Sequence, residues 1–136
     1  MISEYGADTI PGMHTEPSFI FSEDYQTEFM VEYHKSFDAL RAKGFFIGEH
    51  IWNFADFMTK QRKLKLKKSS ENNTDFINLL LHTETTRVGG NKKGIFTRDR
   101  QPKTAARLLR CRYWKLSNDL NNSHREGISL CPEAVY

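Results

Sequence analysis

Apolar residues recur along this chain with two periods, and each period marks an element. The opening "MISEYGADTI" supports a short strand ending at Gly6, followed by a loop through Pro11, Gly12 and Pro17. A helix is predicted after Ser22. The serine caps it, Glu23 and Asp24 suit the positive end of the helix dipole, and Gly44 stops it after Arg41 and Lys43. Phe29, Tyr33, Phe37 and Leu40 fall on one stripe at helical spacing and are expected in the core. "FFIGEHIWNF", rich in aromatic and branched residues, reads as a largely buried strand. A glycine-rich loop, "RVGGNKKGIFTRDRQP", leads to a second helix beginning near Pro102. Its apolar face is Ala105, Leu108, Leu109, Tyr113 and Leu116, while Arg107, Arg110 and Trp114 point away.

The order strand, helix, strand, helix is a βαβα unit of the α/β class, with two parallel strands joined by a right-handed crossover. In such units chemistry gathers where strands end and the following loops begin. Glu4, Trp52 and "GGNKKG" all lie at or just beyond those ends.

Composition narrows the picture mainly by exclusion. A length of 136 residues suits one ordinary domain, and 38% hydrophobic with 12% aromatic residues argues for a packed core. A net charge of +3 makes no case for nucleic acid. Cys111 and Cys131 lack Cys-x-x-Cys spacing and supply neither a disulfide framework nor a zinc set. The five histidines are scattered without a ligand pattern, so no metal or other cofactor is expected. No apolar run approaches a membrane span, and no targeting signal is read at the N-terminus.

One segment departs from the rest. Residues 60–86 hold a basic run, Lys60, Arg62, Lys63, Lys65, Lys67 and Lys68, and then an abrupt apolar patch from Phe76 to Leu81. A basic run of this kind suits nucleic acid or a nuclear address, yet no aromatic interleaving or binding module accompanies it. It reads as a surface insertion. Asn72 and Asn121 head formal glycosylation triplets, and residues 119–136 read as a flexible tail.

Three stretches carry candidate chemistry. Glu4, at a parallel strand end beside Tyr5, suits a nucleophile or a general base, and equally a structural partner for a cation. Trp52 stands among Glu49, Asn53 and Asp56. An aromatic face rimmed by hydrogen-bonding groups fits a sugar, and core filling by Trp52, Phe54 and Phe57 is the simpler alternative. "GGNKKGIFTR" fails as a phosphate loop, because Ile95 and Phe96 stand where lysine and a hydroxyl residue are needed. It presents Asn91, Lys92 and Lys93 together, with Arg87 just before them. That cluster suits a carboxylate or another small anion, or is a solvated basic turn.

"SEYGADTIPGMH", "GEHIWNFADFMT" and "TRVGGNKKGIFTRDRQPKTAARLLRCRYWK" together resemble the C-terminal end of the β-glucuronidases of glycoside hydrolase family 2. The likeness runs from residue 2 to about 118, apart from the 60–86 insertion. It implies a partial (β/α)8 TIM barrel in residues 1–118, made of strands seven and eight with their helices. It also implies retaining hydrolysis of β-D-glucuronides in carbohydrate and glycosaminoglycan catabolism, and a parent family that is lysosomal and homo-oligomeric.

Residue by residue, the resemblance makes Glu4 the nucleophile, with Tyr5 helping to orient it, and puts Trp52 in the sugar subsite. Asn91 and Lys93 match the pair that grips the C6 carboxylate, and Arg87 matches a further basic residue near that group. The family's acid/base is the glutamate of an Asn-Glu pair, and this chain contains no Asn-Glu dipeptide. The chain is therefore expected to be an incomplete piece of the enzyme. The competing expectations are an inactive truncated product that binds other proteins through strand edges, and a small basic binding protein using residues 60–68.

Overall fold

A parallel pair of strands backed by two helices forms the computed structural model, which describes residues 1–59 and 89–121. Strand β1 is Ile2–Tyr5, helix α1 is Glu23–Ala42, strand β2 is Glu49–Ile51 and helix α2 is Thr104–Asn121. The βαβα order and the parallel pairing are as expected. Residues 60–88, including the basic run and Arg87, lie outside the described residues, as do residues 122–136.

Ser22 caps α1: its hydroxyl accepts the Tyr25 N–H at 3.0 Å. Gly44, at φ +84°, follows Lys43 at the other end and donates its N–H to the Arg41 carbonyl at 2.9 Å. The inward face of this helix is rotated from the predicted stripe. Gln26, Met30, His34 and Phe37 are buried, while Phe29 is only partly covered and Tyr33 is exposed. The reason is polar: Gln26 and His34 find partners on the strand side, so they can turn inward in place of the larger aromatics.

"FFIGEHIWNF" is mostly not strand. Only three residues pair with β1, and Phe45 and Ile47 are exposed while Phe46 alone enters the core. Strand character extends only as far as β1 offers partners. On α2, Ala105, Leu108 and Leu109 are buried as predicted, but Tyr113 is exposed and Arg112 is inside. The helix also continues through Asn121, so the first residues of the predicted tail are helical. Cys111, left outside any disulfide framework by the spacing, is buried and disulfide-bonded.

The core joins Tyr5, Met30, Phe37, Phe46, Ile95, Ala105, Leu108 and Leu109, with Ile2 and Ile51 packed against it. Inside it runs a buried polar network. Arg112 forks onto both oxygens of Glu49, with Nη2 to Oε2 at 2.7 Å, and also donates to Asp38 at 2.9 and 3.2 Å. The Tyr5 hydroxyl lies 3.1 Å from His34 Nε2 and donates to Glu49 at 3.3 Å. Burial pushes the Tyr5 phenol well above its usual range, and the Glu49 charge adds to this.

His34 is sealed from solvent, and no described group bonds its Nδ1. Burial first, then the Arg112 charge, lowers its pKa from 6.5 to about 4. Between those values the unfolded chain takes up a proton that the folded chain refuses. The contribution of His34 to stability is therefore full above pH 6.5, falls as pH drops toward 4, and levels off below. The expected total is on the order of 3 kcal/mol. Urea unfolding between pH 7 and 4 should show this slope, and His34→Gln should flatten it. An unchanged slope in the variant would mean that other groups cause it.

Candidate active site

The geometry of β1 decides which way Glu4 faces. Ile2 pairs with Glu49 and Tyr5 with Ile51, so three steps along β1 match two along β2. That extra residue is a bulge, and it shifts the two-residue alternation by one. Ile2 and Tyr5 both turn toward the helices, leaving Ser3 and Glu4 exposed. Among the described residues, none hydrogen-bonds or ion-pairs with the Glu4 carboxylate.

Just beyond the strand ends the backbone crowds together. Trp52 donates its N–H to the Tyr5 carbonyl at 2.8 Å. Gly6, at φ +147°, passes so close that a Cβ there would lie 2.4 Å from the Trp52 oxygen. The Trp52–Asn53 peptide is cis. The indole is 39% exposed and meets Phe57 edge-on, with ring centroids 6.3 Å apart, which leaves an aromatic surface open at the site.

The 89–96 loop docks against the segment after β2 through a backbone ladder. Asn91 and Phe57 exchange N–H···O bonds at 2.8 and 3.2 Å, Asn53 donates to the Lys93 carbonyl at 3.3 Å, and Ile95 donates to Asn53 at 3.1 Å. Gly94 admits this approach, since a Cβ there would lie 2.3 Å from the Asp56 nitrogen. Asn91 is buried, and its side-chain oxygen accepts the Lys93 N–H at 2.9 Å, closing an Asx turn. That use leaves the amide NH2 of Asn91 as its donor toward a ligand, beside the half-buried Lys93.

Against this geometry, the model of glycosyl hydrolases family 2, TIM barrel domain, matches residues 1–70, half of the chain. The chain belongs to glycoside hydrolase family 2. It is 47% identical to the β-glucuronidase of Homo sapiens over 131 residues, which are 96% of this chain and 17% of that protein. It is 49% identical to the Mus musculus β-glucuronidase over 125 residues, 92% of this chain and 16% of that protein. Among solved structures, the β-D-glucuronidase of Dictyoglomus thermophilum superimposes with a TM-score of 0.58 at 42% identity, covering 82% of this chain and 15% of that one. A Ruminococcus gnavus β-glucuronidase in complex with uronic isofagomine gives 0.58 at 39% identity, covering 82% and 14%. The chain thus spans about a sixth of the length of these relatives.

In this family 2 chain the strand ends bring together Trp52 and the turn holding Asn91 and Lys93, at the end of the sheet where Glu4 faces outward. Tyr5 is not with them: its ring packs on Tyr33, His34 and Phe37, and its hydroxyl is taken up in the helix layer. Arg87 lies outside the described residues. Two of the three polar residues expected to rim Trp52 are also spent elsewhere. Glu49 is held by Arg112 on the helix side, and Asp56 is buried against Lys103 and Gly94.

Two buried cations escaped the sequence reading, although each left a trace. Lys103 stands just ahead of α2, where the helix dipole disfavours a cation unless a carboxylate receives it. Arg112 sits at the helical repeat of Ala105 and Leu108, a charge on an otherwise apolar stripe.

Proposed function

We propose that this chain supplies the last two βα units, strands seven and eight, of a retaining β-glucuronidase barrel, with Glu4 as the nucleophile. The observation that carries this reading is the bulged β1. It turns Glu4 away from the helices, at the sheet end where Trp52 is hydrogen-bonded to Tyr5 and the Asn91–Lys93 turn to Asn53 and Phe57.

A retaining glycosidase uses two carboxyl groups about 5–5.5 Å apart. Glu4 attacks the anomeric carbon as the leaving oxygen takes a proton from the second carboxyl, and water later releases the sugar with that group as base. Trp52 supports one face of the sugar ring. Lys93 and the Asn91 amide meet the C6 carboxylate, which distinguishes a glucuronide from a glucoside, and Arg87 adds positive charge to that end. The second carboxyl comes from outside this chain. Glu49 does not fill that role, because Arg112 engages both its oxygens on the opposite side of the sheet. The substrates are glucuronide-bearing carbohydrates, and a lysosomal setting follows from the same reading.

The test is a graft of the chain into a complete family 2 glucuronidase in place of its own matching segment, assayed on an aryl β-glucuronide. Hydrolysis supports the reading, and a folded but inactive graft rejects it. Within an active graft, Lys93→Ala removes a charge-assisted contact worth about 1.5–3 kcal/mol. Glucuronide kcat/KM should fall by the corresponding factor while trace glucoside hydrolysis changes little. Equal losses on both substrates would make Lys93 a structural residue.

A further inference from the structure

The stretch carrying Asn91 and Lys93 is held by side chains from several other segments of the chain. Lys103 is wholly buried and donates three hydrogen bonds, to Thr9 Oγ1 at 2.8 Å, Asp56 Oδ1 at 2.9 Å and the Lys92 carbonyl at 3.0 Å. An ammonium has three N–H bonds, and here the loop after β1, the segment after β2 and the 89–96 loop each take one. The same Asp56 oxygen accepts the Gly94 N–H at 2.9 Å, and Asp8 accepts the Lys92 N–H at 3.1 Å. From α1, buried Gln26 donates to the carbonyls of Ala7 at 2.9 Å and Lys93 at 3.3 Å.

We infer that Lys103, seconded by Gln26, is the positioning residue that sets where Asn91 and Lys93 stand relative to Glu4, and so governs recognition of the substrate carboxylate. The inference rests on the glucuronidase reading of that turn, and it assigns a specificity role to a side chain that never meets the sugar. Its bonds fall on the carbonyl of Lys92, and through Asp56 on the amide of Gly94, the peptide groups on either side of Lys93. Losing them loosens the turn, which is then held mainly by its backbone bonds to Thr9, Asn53 and Phe57, while leaving β1, which carries Glu4, joined to β2 by its own ladder. Attack at the anomeric carbon and grip on the carboxylate are therefore separable.

Two measurements decide it, using Lys103→Met and the double variant Asp56→Asn with Lys103→Met. The double variant removes the buried charge together with its partner and stays usable where the single one does not fold. In the full chain, amide hydrogen exchange at Asn91, Lys92 and Gly94 should quicken by about tenfold or more relative to the Trp52 amide. In the active graft, KM for the aryl glucuronide should rise by roughly 10- to 100-fold, with kcat and glucoside KM far less changed. Gln26→Met should move both readouts in the same direction. Exchange quickened equally at Trp52, or KM raised equally for both sugars, would reduce Lys103 to a stability residue and overturn the inference. An inactive graft of the unaltered chain would overturn the glucuronidase reading and the specificity role with it. Exchange alone would then judge the positioning.

Discussion

Glu4→Gln in a complete barrel carrying this chain should lower kcat for an aryl glucuronide by several orders of magnitude and leave the thermal midpoint unchanged. The substitution keeps the shape of the side chain and removes the negative charge proposed to attack the anomeric carbon, so on that reading the covalent glycosyl intermediate cannot form. Stability should hold because Glu4 is exposed and no described residue bonds its carboxylate. Binding should also survive, since Trp52, Asn91 and Lys93 are untouched. The combination is diagnostic: a collapse in kcat with KM and Tm preserved belongs to a reacting group. Near-normal turnover in the variant would move the nucleophile elsewhere.

Arg112→Met should produce the largest loss of stability, about 3–5 kcal/mol in urea unfolding, because it strands the Glu49 carboxylate in the core. The Glu49 side chain is only 3% exposed and takes two bonds from the guanidinium, whereas Asp38 is half exposed and regains water. The methionine fills much of the vacated volume, so the loss reports on the charge more than on a cavity. Pairing Arg112→Met with Glu49→Gln should recover part of the loss by removing the buried charge itself. A single-variant loss below about 1 kcal/mol would mean that water, or Arg41 with its Nη2 3.5 Å from Glu49 Oε2, takes over the charge. Because Glu49 sits on β2 opposite Ile2, this network also holds the strand whose bulge directs Glu4.

The chain's own residues determined a good deal. Ser22, the acidic first turn and Gly44 mark both ends of α1, because capping and dipole effects act within a few residues and are readable locally. The βαβα order follows from local periodicity in the same way. Motif residues such as Glu4, Trp52, Asn91 and Lys93 stand out because they cluster at strand ends in chain order. Tertiary structure decided what depends on partners distant in sequence. Which face of α1 is buried was settled by hydrogen bonds from Gln26 and His34 to groups on other elements. Arg112 replaced Tyr113 in the core because Glu49 and Asp38, some 60 to 75 residues earlier, neutralise it there. Tyr5 left the site and Glu4 turned outward because a bulge shifted the strand's alternation, and a bulge exists only once β2 lies alongside. Local propensity writes element ends into the sequence, whereas the burial of a charge and the facing of a strand are properties of pairs.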